Sequence, residues 1–332
     1  MVGDRWRPPH RLDMGGLTLG VLRQTRTGRW CTPGARCLVG RSGTAGLLLK
    51  DRSVSAEHAS VFWSDPGWAV RDLGSRNGTF VGDTRLAPGQ KIDLVVGQTV
   101  RFGGSQEWRL VHDGAPTALA VPVVSGKLVW TGAMIADREL LALPDEETPE
   151  VTVRRQLDRW MVEDEDSQGR GVDGQIVRAD NKVWRLFLPP DEDEVVATTA
   201  FNSGPRSCLS DAVLRFGVSA DEEHVTLSVQ SSNQFHEVKP RTHHYLLLTL
   251  ARQRVEDVKQ GVSDSEAGWL HAEDLQRMLR MDRRTLNTQV FRARRQLSKL
   301  DLDGSGDIIE RRDPARQLRI GVAKIEVQRI GP

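Results

Sequence analysis

The chain has 332 residues, with 46 lysines and arginines against 45 aspartates and glutamates, a formal net charge of +1 and 27% charged residues. That length suits two or three domains, and the balanced charge gives no global field that would single out nucleic acid or a membrane surface. The three cysteines Cys31, Cys37 and Cys208, with no CxxC or Cys/His spacing, exclude a disulfide framework and a zinc finger, and no apolar run approaches the ~18 residues of a membrane span.

Residues 1–14 read as a tail, basic but without the apolar block of a secretory signal. From Leu17 to Val111 come short β-type runs, among them CLVG, SVFW, WAVRDL and TVRFG, punctuated by Gly, Pro, Asp and Asn. That rhythm predicts an all-β sandwich over 15–112. Composition then shifts to small and acidic residues, with PDEETPE at 144–150 and EDEDSQGRGVDG at 163–174. The stretch 113–172 reads as a flexible acidic linker, holding one short amphipathic helix at 151–162, VTVRRQLDRWMV.

Residues 173–332 read as strands leading into helices. The runs KVWRLFLP (182–189), AVLRFGV (212–218) and HVTLSV (224–229) are β-type, with DEDE (191–194) as a polar turn. Three helices are predicted from apolar stripes. Over 242–259 the stripe is Leu247, Leu250, Ala251, Val255 and Val258; near 271–280 it is Leu275, Met278 and Leu279; over 283–300 it is Leu286, Val290, Ala293, Leu297 and Leu300. Asp282 is placed as N-cap of the third. IIERR (308–312) and QLRIGVAKIEV (317–327) then form a hairpin about the turn DPA.

Four short motifs fall in one order in the N-terminal part: Gly40-Arg41-Ser42, Ser53-Val54-Ser55-Ala56-Glu57-His58-Ala59, Asp72-Leu73-Gly74-Ser75-Arg76-Asn77-Gly78-Thr79-Phe80-Val81, and the FG of 102–103. Together they resemble a forkhead-associated (FHA) domain, a β-sandwich that binds phosphothreonine peptides. The resemblance covers about 15–112. It implies that Arg41 and Ser55 hold the phosphate, Arg76 lines the same loop, Asn77 bonds the peptide backbone, and Gly40 and His58 are architectural. A phosphothreonine dianion needs several charge-assisted donors at fixed positions, which loops on a rigid sandwich supply. Ala56 departs from the family pattern, where Arg or Asn is common, and bears on peptide preference.

A second constellation lies at 277–299: Arg277, Arg280, Arg283, Arg284, Arg292, Arg294, Arg295 and Lys299, with Asp282 the only acid. Opposite the apolar stripe, the third helix carries Arg284, Thr288, Phe291, Arg292, Arg295 and Lys299. These are the donors and methyl contacts of a helix in a DNA major groove, and Arg311, Arg312 and Arg316 on or beside the hairpin would reach phosphates or a minor groove. The order of strands, three helices and hairpin over 212–330 resembles the winged helix-turn-helix effector domain of bacterial response regulators. AVLRFGV and HVTLSV would be its small N-terminal antiparallel sheet, and KVWRLFLP an extension of it. The positive charge is local, so DNA affinity would draw on a homodimer or on other proteins. Asp301-Leu302-Asp303-Gly304-Ser305-Gly306-Asp307 begins like an EF-hand loop, but position twelve would be Arg312 and not the bidentate Glu that calcium needs.

The chain has no Walker loop, dinucleotide fingerprint, GxSxG or HExxH, so no enzyme, cofactor or metal is expected. The expected protein is multidomain and cytoplasmic, an all-β sandwich joined to an α+β winged helix. It would act as a phosphothreonine-dependent adaptor and DNA-binding transcriptional regulator. Its partner would be a phosphorylated Ser/Thr kinase or that kinase's substrate. The alternative is an FHA scaffold whose winged helix contacts proteins. Thr148, in the acidic stretch, is a candidate phosphorylation site from which a flexible linker would fold back onto the pocket.

Overall fold

A computed structural model describes residues 20–33, 36–64, 66–129, 132–156, 159–165, 167–189, 208–231, 234–300 and 302–330. The expected tail, the DEDE turn and Asp301 lie outside them. Two compact units form: one runs through Ile135 and includes Asp173–Ile176 and Val183–Pro190, and the other holds Ala136–Val172, Val177–Lys182 and the rest of the C-terminal part. Among the described residues no helix is long and apolar enough to cross a membrane.

The first unit is a β-sandwich. One sheet has the order β2-β1-β11-β10-β7-β8, made of β1 (Gly20–Gln24), β2 (Trp30–Cys31), β7 (Thr79–Val81), β8 (Thr84–Arg85), β10 (Thr99–Phe102) and β11 (Gln106–Asp113). The other has the order β4-β3-β5-β6-β9, made of β3 (Arg36–Gly40), β4 (Leu47–Leu48), β5 (Ala59–Ser64), β6 (Gly67–Asp72) and β9 (Lys91–Leu94). Alternating inward residues of both sheets, Leu22, Val39, Val61, Trp68, Val70, Val100, Phe102, Trp108 and Leu110, close into one core. Its burial fixes the strand ends, and with them the loops between β3 and β4, β4 and β5, and β6 and β7. A further sheet follows, ordered β13-β12-β20-β19, from β12 (Leu119–Val124), β13 (Lys127–Leu128), β19 (Ile176–Ala179) and β20 (Lys182–Phe187), with β14 (Met134–Ile135) also pairing β12. KVWRLFLP therefore does not extend the C-terminal sheet: Val183–Phe187 pair with Leu119–Val123.

In the second unit the predicted linker is a four-stranded antiparallel sheet, β15 (Leu140–Leu143), β16 (Val151–Gln156), β17 (Arg159–Glu163) and β18 (Gln168–Arg170). The predicted helix at 151–162 is two of its strands. Val151 and Val153 are buried and alternate with half-exposed Thr152, a two-residue period favoured by β-branched side chains. The acidic run 144–150 is the tight turn between β15 and β16, in which Asp145 Oδ1 accepts the N–H groups of Glu147 (2.9 Å) and Thr148 (2.8 Å) and the Thr148 hydroxyl (3.2 Å). The flexible tether assumed for a Thr148 switch is thus replaced by ordered strands.

The three predicted helices are present as α1 (His244–Lys259), α2 (Ala272–Leu279) and α3 (Arg283–Leu297). Asp282 caps α3, its side chain accepting the Thr285 N–H at 2.7 Å. Before α1, β21 (Val213–Val218), β22 (Val225–Gln230) and β23 (Phe235–Val238) form an antiparallel sheet, which β27 (Lys324–Arg329) joins in parallel beside β21. β24 (Leu270–His271), β25 (Ile309–Arg312) and β26 (Gln317–Ile320) make a small sheet holding the predicted hairpin, whose second strand ends at Ile320; the rest of the predicted run, from Lys324, belongs to β27 against β21. The stripe Leu286, Val290, Ala293 and Leu297 of α3 is buried in the core with Leu247, Leu250, Leu275, Ile309 and Ile320.

Candidate functional site

Three loops at one end of the sandwich bring Arg41, Ser55, Arg76 and Asn77 together. Arg41 follows β3, where Gly40 allows close backbone approach: a Cβ there would stand 2.0 Å from the Ala56 carbonyl oxygen. The Arg41 N–H donates to Ser55 O (3.0 Å) and its Nε to Val54 O (2.7 Å). The guanidinium is thereby aimed while its Nη groups stay on an exposed side chain. The Ser55 hydroxyl oxygen accepts the Arg76 N–H (3.1 Å), which leaves its proton to donate. Asn77 donates Nδ2 to Ser53 O (2.8 Å), leaving the amide oxygen as an acceptor.

His58 ties these loops from below and is fully buried. Its Nδ1 accepts the Ser55 N–H (3.0 Å), so its proton sits on Nε2, which donates to Gly78 O (3.1 Å). Burial pushes its pKa below the ordinary histidine value and keeps it neutral. The sequence reading missed two carboxylates that organise the same loops. Buried Asp72 accepts from Gly74 N (2.9 Å), Ser75 N (3.0 Å), Ser75 Oγ (2.6 Å) and Thr79 Oγ1 (2.7 Å). Burial acts to raise its pKa, but these hydrogen bonds outweigh it and hold the carboxyl ionised. Asp51 accepts from Ser53 N and Oγ (both 2.8 Å) and from Ser105 Oγ (2.7 Å), fixing the residue whose carbonyl holds Asn77. Asp72 opened a quoted motif; the signal for its role was its spacing to Ser75 and Thr79.

The face predicted on α3 is divided: Thr288, Phe291 and Arg295 are taken up inside the second unit, while three of its cations stay at the surface. Arg284, Arg292 and Lys299 are exposed. Thr288 is buried and its hydroxyl donates to Arg284 O (3.0 Å), and Phe291, 2% exposed, packs with Leu140 and Ala142 of β15. Arg295 pairs with Glu146 of the β15–β16 turn, and Arg283 with Glu165 (3.1 Å). Arg311 lies 3.5 Å from Glu163 and donates to Asn287 Oδ1 (2.7 Å). Arg312 holds Glu266 through both Nη groups (2.8 and 3.1 Å) and stacks 4.3 Å over the Trp269 ring. Arg316 sits in the turn before β26 with φ 50°, its carbonyl accepting the Ala272 N–H (2.9 Å).

At the centre lies Glu163, buried at 3% exposure. It accepts from Arg294 Nη1 (2.6 Å) and Nη2 (3.2 Å) and from Arg154 Nε (2.8 Å), and Arg154 also reaches Asp307 (2.5 Å). Burial works against the carboxylate, but the guanidiniums of Arg294, Arg154 and Arg311 outweigh it and hold the Glu163 pKa well below the usual range. Burial pushes Arg294 down to about 10, and it stays charged at neutral pH. Asp307, from the EF-hand-like run, is thus spent on an arginine.

Residues 37–103 match the family model of the FHA domain. The FHA domain-containing protein FhaB of Mycolicibacterium smegmatis is 33% identical over 87 residues, 26% of this chain and 53% of that protein. Kanadaptin of Homo sapiens is 38% identical over 80 residues, 21% of this chain and 11% of that protein. The chain covers less than two thirds of the length of these relatives. A crystal structure of the FHA domain of CT664 from Chlamydia trachomatis is 26% identical, spanning 28% of this chain and 97% of that one, with a TM-score of 0.26. The match to the family model places an FHA domain at residues 37–103, within the first unit.

Proposed function

We propose that the first unit is a phosphothreonine-peptide receptor and that the protein is a signalling adaptor, recruiting a phosphorylated Ser/Thr kinase or its substrate. One observation carries this reading: three loops present the Nη groups of Arg41, the hydroxyl proton of Ser55 and the amide of Asn77 at one sandwich end, each fixed by a bond to its other atoms. The preorganised donors of Arg41 and Ser55 suit a dianion, and the free Asn77 amide oxygen suits a peptide-backbone N–H. The test is fluorescence anisotropy of the full chain with matched threonine and phosphothreonine peptides. Binding confined to phosphorylated peptides is expected; equal binding of both forms overturns the reading.

For the second unit we propose a winged helix, on the order of strands, three helices and hairpin. Two uses of it compete, a DNA-binding transcriptional regulator and a protein-contact scaffold. The burial of Phe291 under β15 and the pairing of Arg283 and Arg295 with acids of the β15–β18 sheet favour the scaffold. The DNA reading rests on Arg284, Arg292 and Lys299, which stay exposed. DNA titrations over a salt series, with wild type and with Glu146→Gln/Glu165→Gln, separate them. A steep salt slope and tighter binding by the variant support DNA; no DNA binding by either protein supports the scaffold.

A further inference from the structure

Beside the phosphate-type donors, the rim of the first unit carries a second cationic element. Phe80, at the centre of β7, has the Arg101 guanidinium 3.9 Å from its ring centroid and that of Arg85 at 5.9 Å. Arg101 Nη1 donates to Gly103 O (3.1 Å), and the Gly103 N–H in turn donates to Gly78 O (3.0 Å). Arg85 lies directly against Gly78, whose φ is +84°. A Cβ at Gly78 would stand 2.6 Å from Arg85 Nε, so the glycine both takes the left-handed turn and makes room for the guanidinium. Gly78 follows Asn77, so the stack adjoins the residue expected to hold the peptide backbone.

Among the described residues no carboxylate pairs with Arg76, Arg85 or Arg101, in contrast to Arg283, Arg294 and Arg295 of α3. Arg85 is exposed. Stacking on an aromatic face restrains a guanidinium while its N–H edges stay available for a bidentate anion. An extended peptide advances about 3.3 Å per residue, so a side chain within about three residues of the one bonded to Asn77 reaches this stack.

We propose that Arg85 and Arg101, held on Phe80, form a second anion subsite that selects phosphothreonine peptides carrying another anionic side chain, a carboxylate or a second phosphate, close to the phosphothreonine. This rests on the phosphothreonine reading of the main pocket. The experiment titrates the full chain with phosphothreonine peptides in which each of the three positions on either side is alanine, glutamate or phosphoserine, one at a time. The proteins are wild type, Arg85→Gln, Arg101→Gln and the double variant. The readout is the ratio of affinities, anionic over alanine, which is insensitive to a general loss of binding. Wild type should prefer glutamate by about two- to fivefold at one or two positions, the range of an exposed ion pair, and phosphoserine at least as strongly. That ratio should fall to about one in the double variant. A preference for phosphoserine alone assigns the subsite to phosphate. No preference in wild type at any position, or one that survives in the double variant, overturns the subsite. If no phosphothreonine peptide binds wild type at all, the main pocket reading fails with it, and the control Arg41→Ala, which should abolish binding of every peptide while wild type binds, separates the two failures.

Discussion

The two basic sites of this chain use arginine in opposite ways. In the FHA pocket, Arg41 is steered by a neutral partner, the Val54 carbonyl, and keeps its remaining donors. On α3 and the following hairpin, Arg283, Arg294, Arg295, Arg311 and Arg312 are each matched to a carboxylate of the same unit. The density of positive charge along the sequence is greater around α3, yet much of it is matched inside the unit, leaving Arg284, Arg292 and Lys299 at the surface. A cation aimed by a carbonyl remains a receptor, whereas one neutralised by a buried carboxylate has become part of the core.

The largest expected effect comes from breaking the second arrangement. Glu163→Ala strands Arg154 and Arg294 without their shared counter-charge, which should cost about 3–5 kcal/mol. Urea denaturation of the full chain should show the second unit's transition falling accordingly; a loss below about 1 kcal/mol would mean the cluster does not tie β16 and β17 to α3. Next is Arg41→Ala, which should weaken a phosphothreonine peptide more than tenfold, because a hydrogen bond to a charged group is worth about 1.5–3 kcal/mol. Its thermal midpoint should match wild type, since Arg41 is exposed.

Asp72→Ala should cost about 1–3 kcal/mol by leaving the buried Ser75 and Thr79 hydroxyls and two N–H groups without their acceptor. Differential scanning calorimetry should register this in the first unit's transition, and peptide affinity should fall with it as the 73–78 loop loosens.

The pH response of His58 is a smaller effect. Its folded pKa lies below the unfolded value near 6.5, so its contribution to stability is full above about pH 6.5 and is lost as pH falls through the folded pKa. His243 and His244 shift in the same direction, so the measurement is the difference in pH dependence between wild type and His58→Gln. A flatter profile in the variant is expected, and identical profiles would contradict the neutral, buried tautomer. The smallest effect belongs to Arg292→Ala/Lys299→Ala, exposed residues whose loss should change stability by no more than about 0.5 kcal/mol. A larger loss by chemical denaturation would show that these two are also spent inside the unit.

Legibility in the sequence followed the range of the forces involved. The pocket was readable because its parts are short, loop-borne and local: Gly40-Arg41, Ser55 with His58 three residues on, and Asn77-Gly78. The helices were readable because a 3.6-residue stripe such as Leu286, Val290, Ala293 and Leu297 reports burial directly. The strands at 151–163 were misread because a short apolar run fits either period. Val151, Thr152 and Val153 held the clue in their β-branched alternation.

Local sequence thus determined the sandwich, its phosphate-type loops, three helices and the Asp282 cap, since each is marked by a short motif or by a simple period of burial. What only tertiary structure decided is where the charges go. Glu163 and Arg294 are 131 residues apart, and both belong to types that are ordinarily solvated when read singly. An acidic run beside a basic helix looks like a linker until folding brings the two together. Burial then removes the water that kept them apart, and ion pairing replaces it.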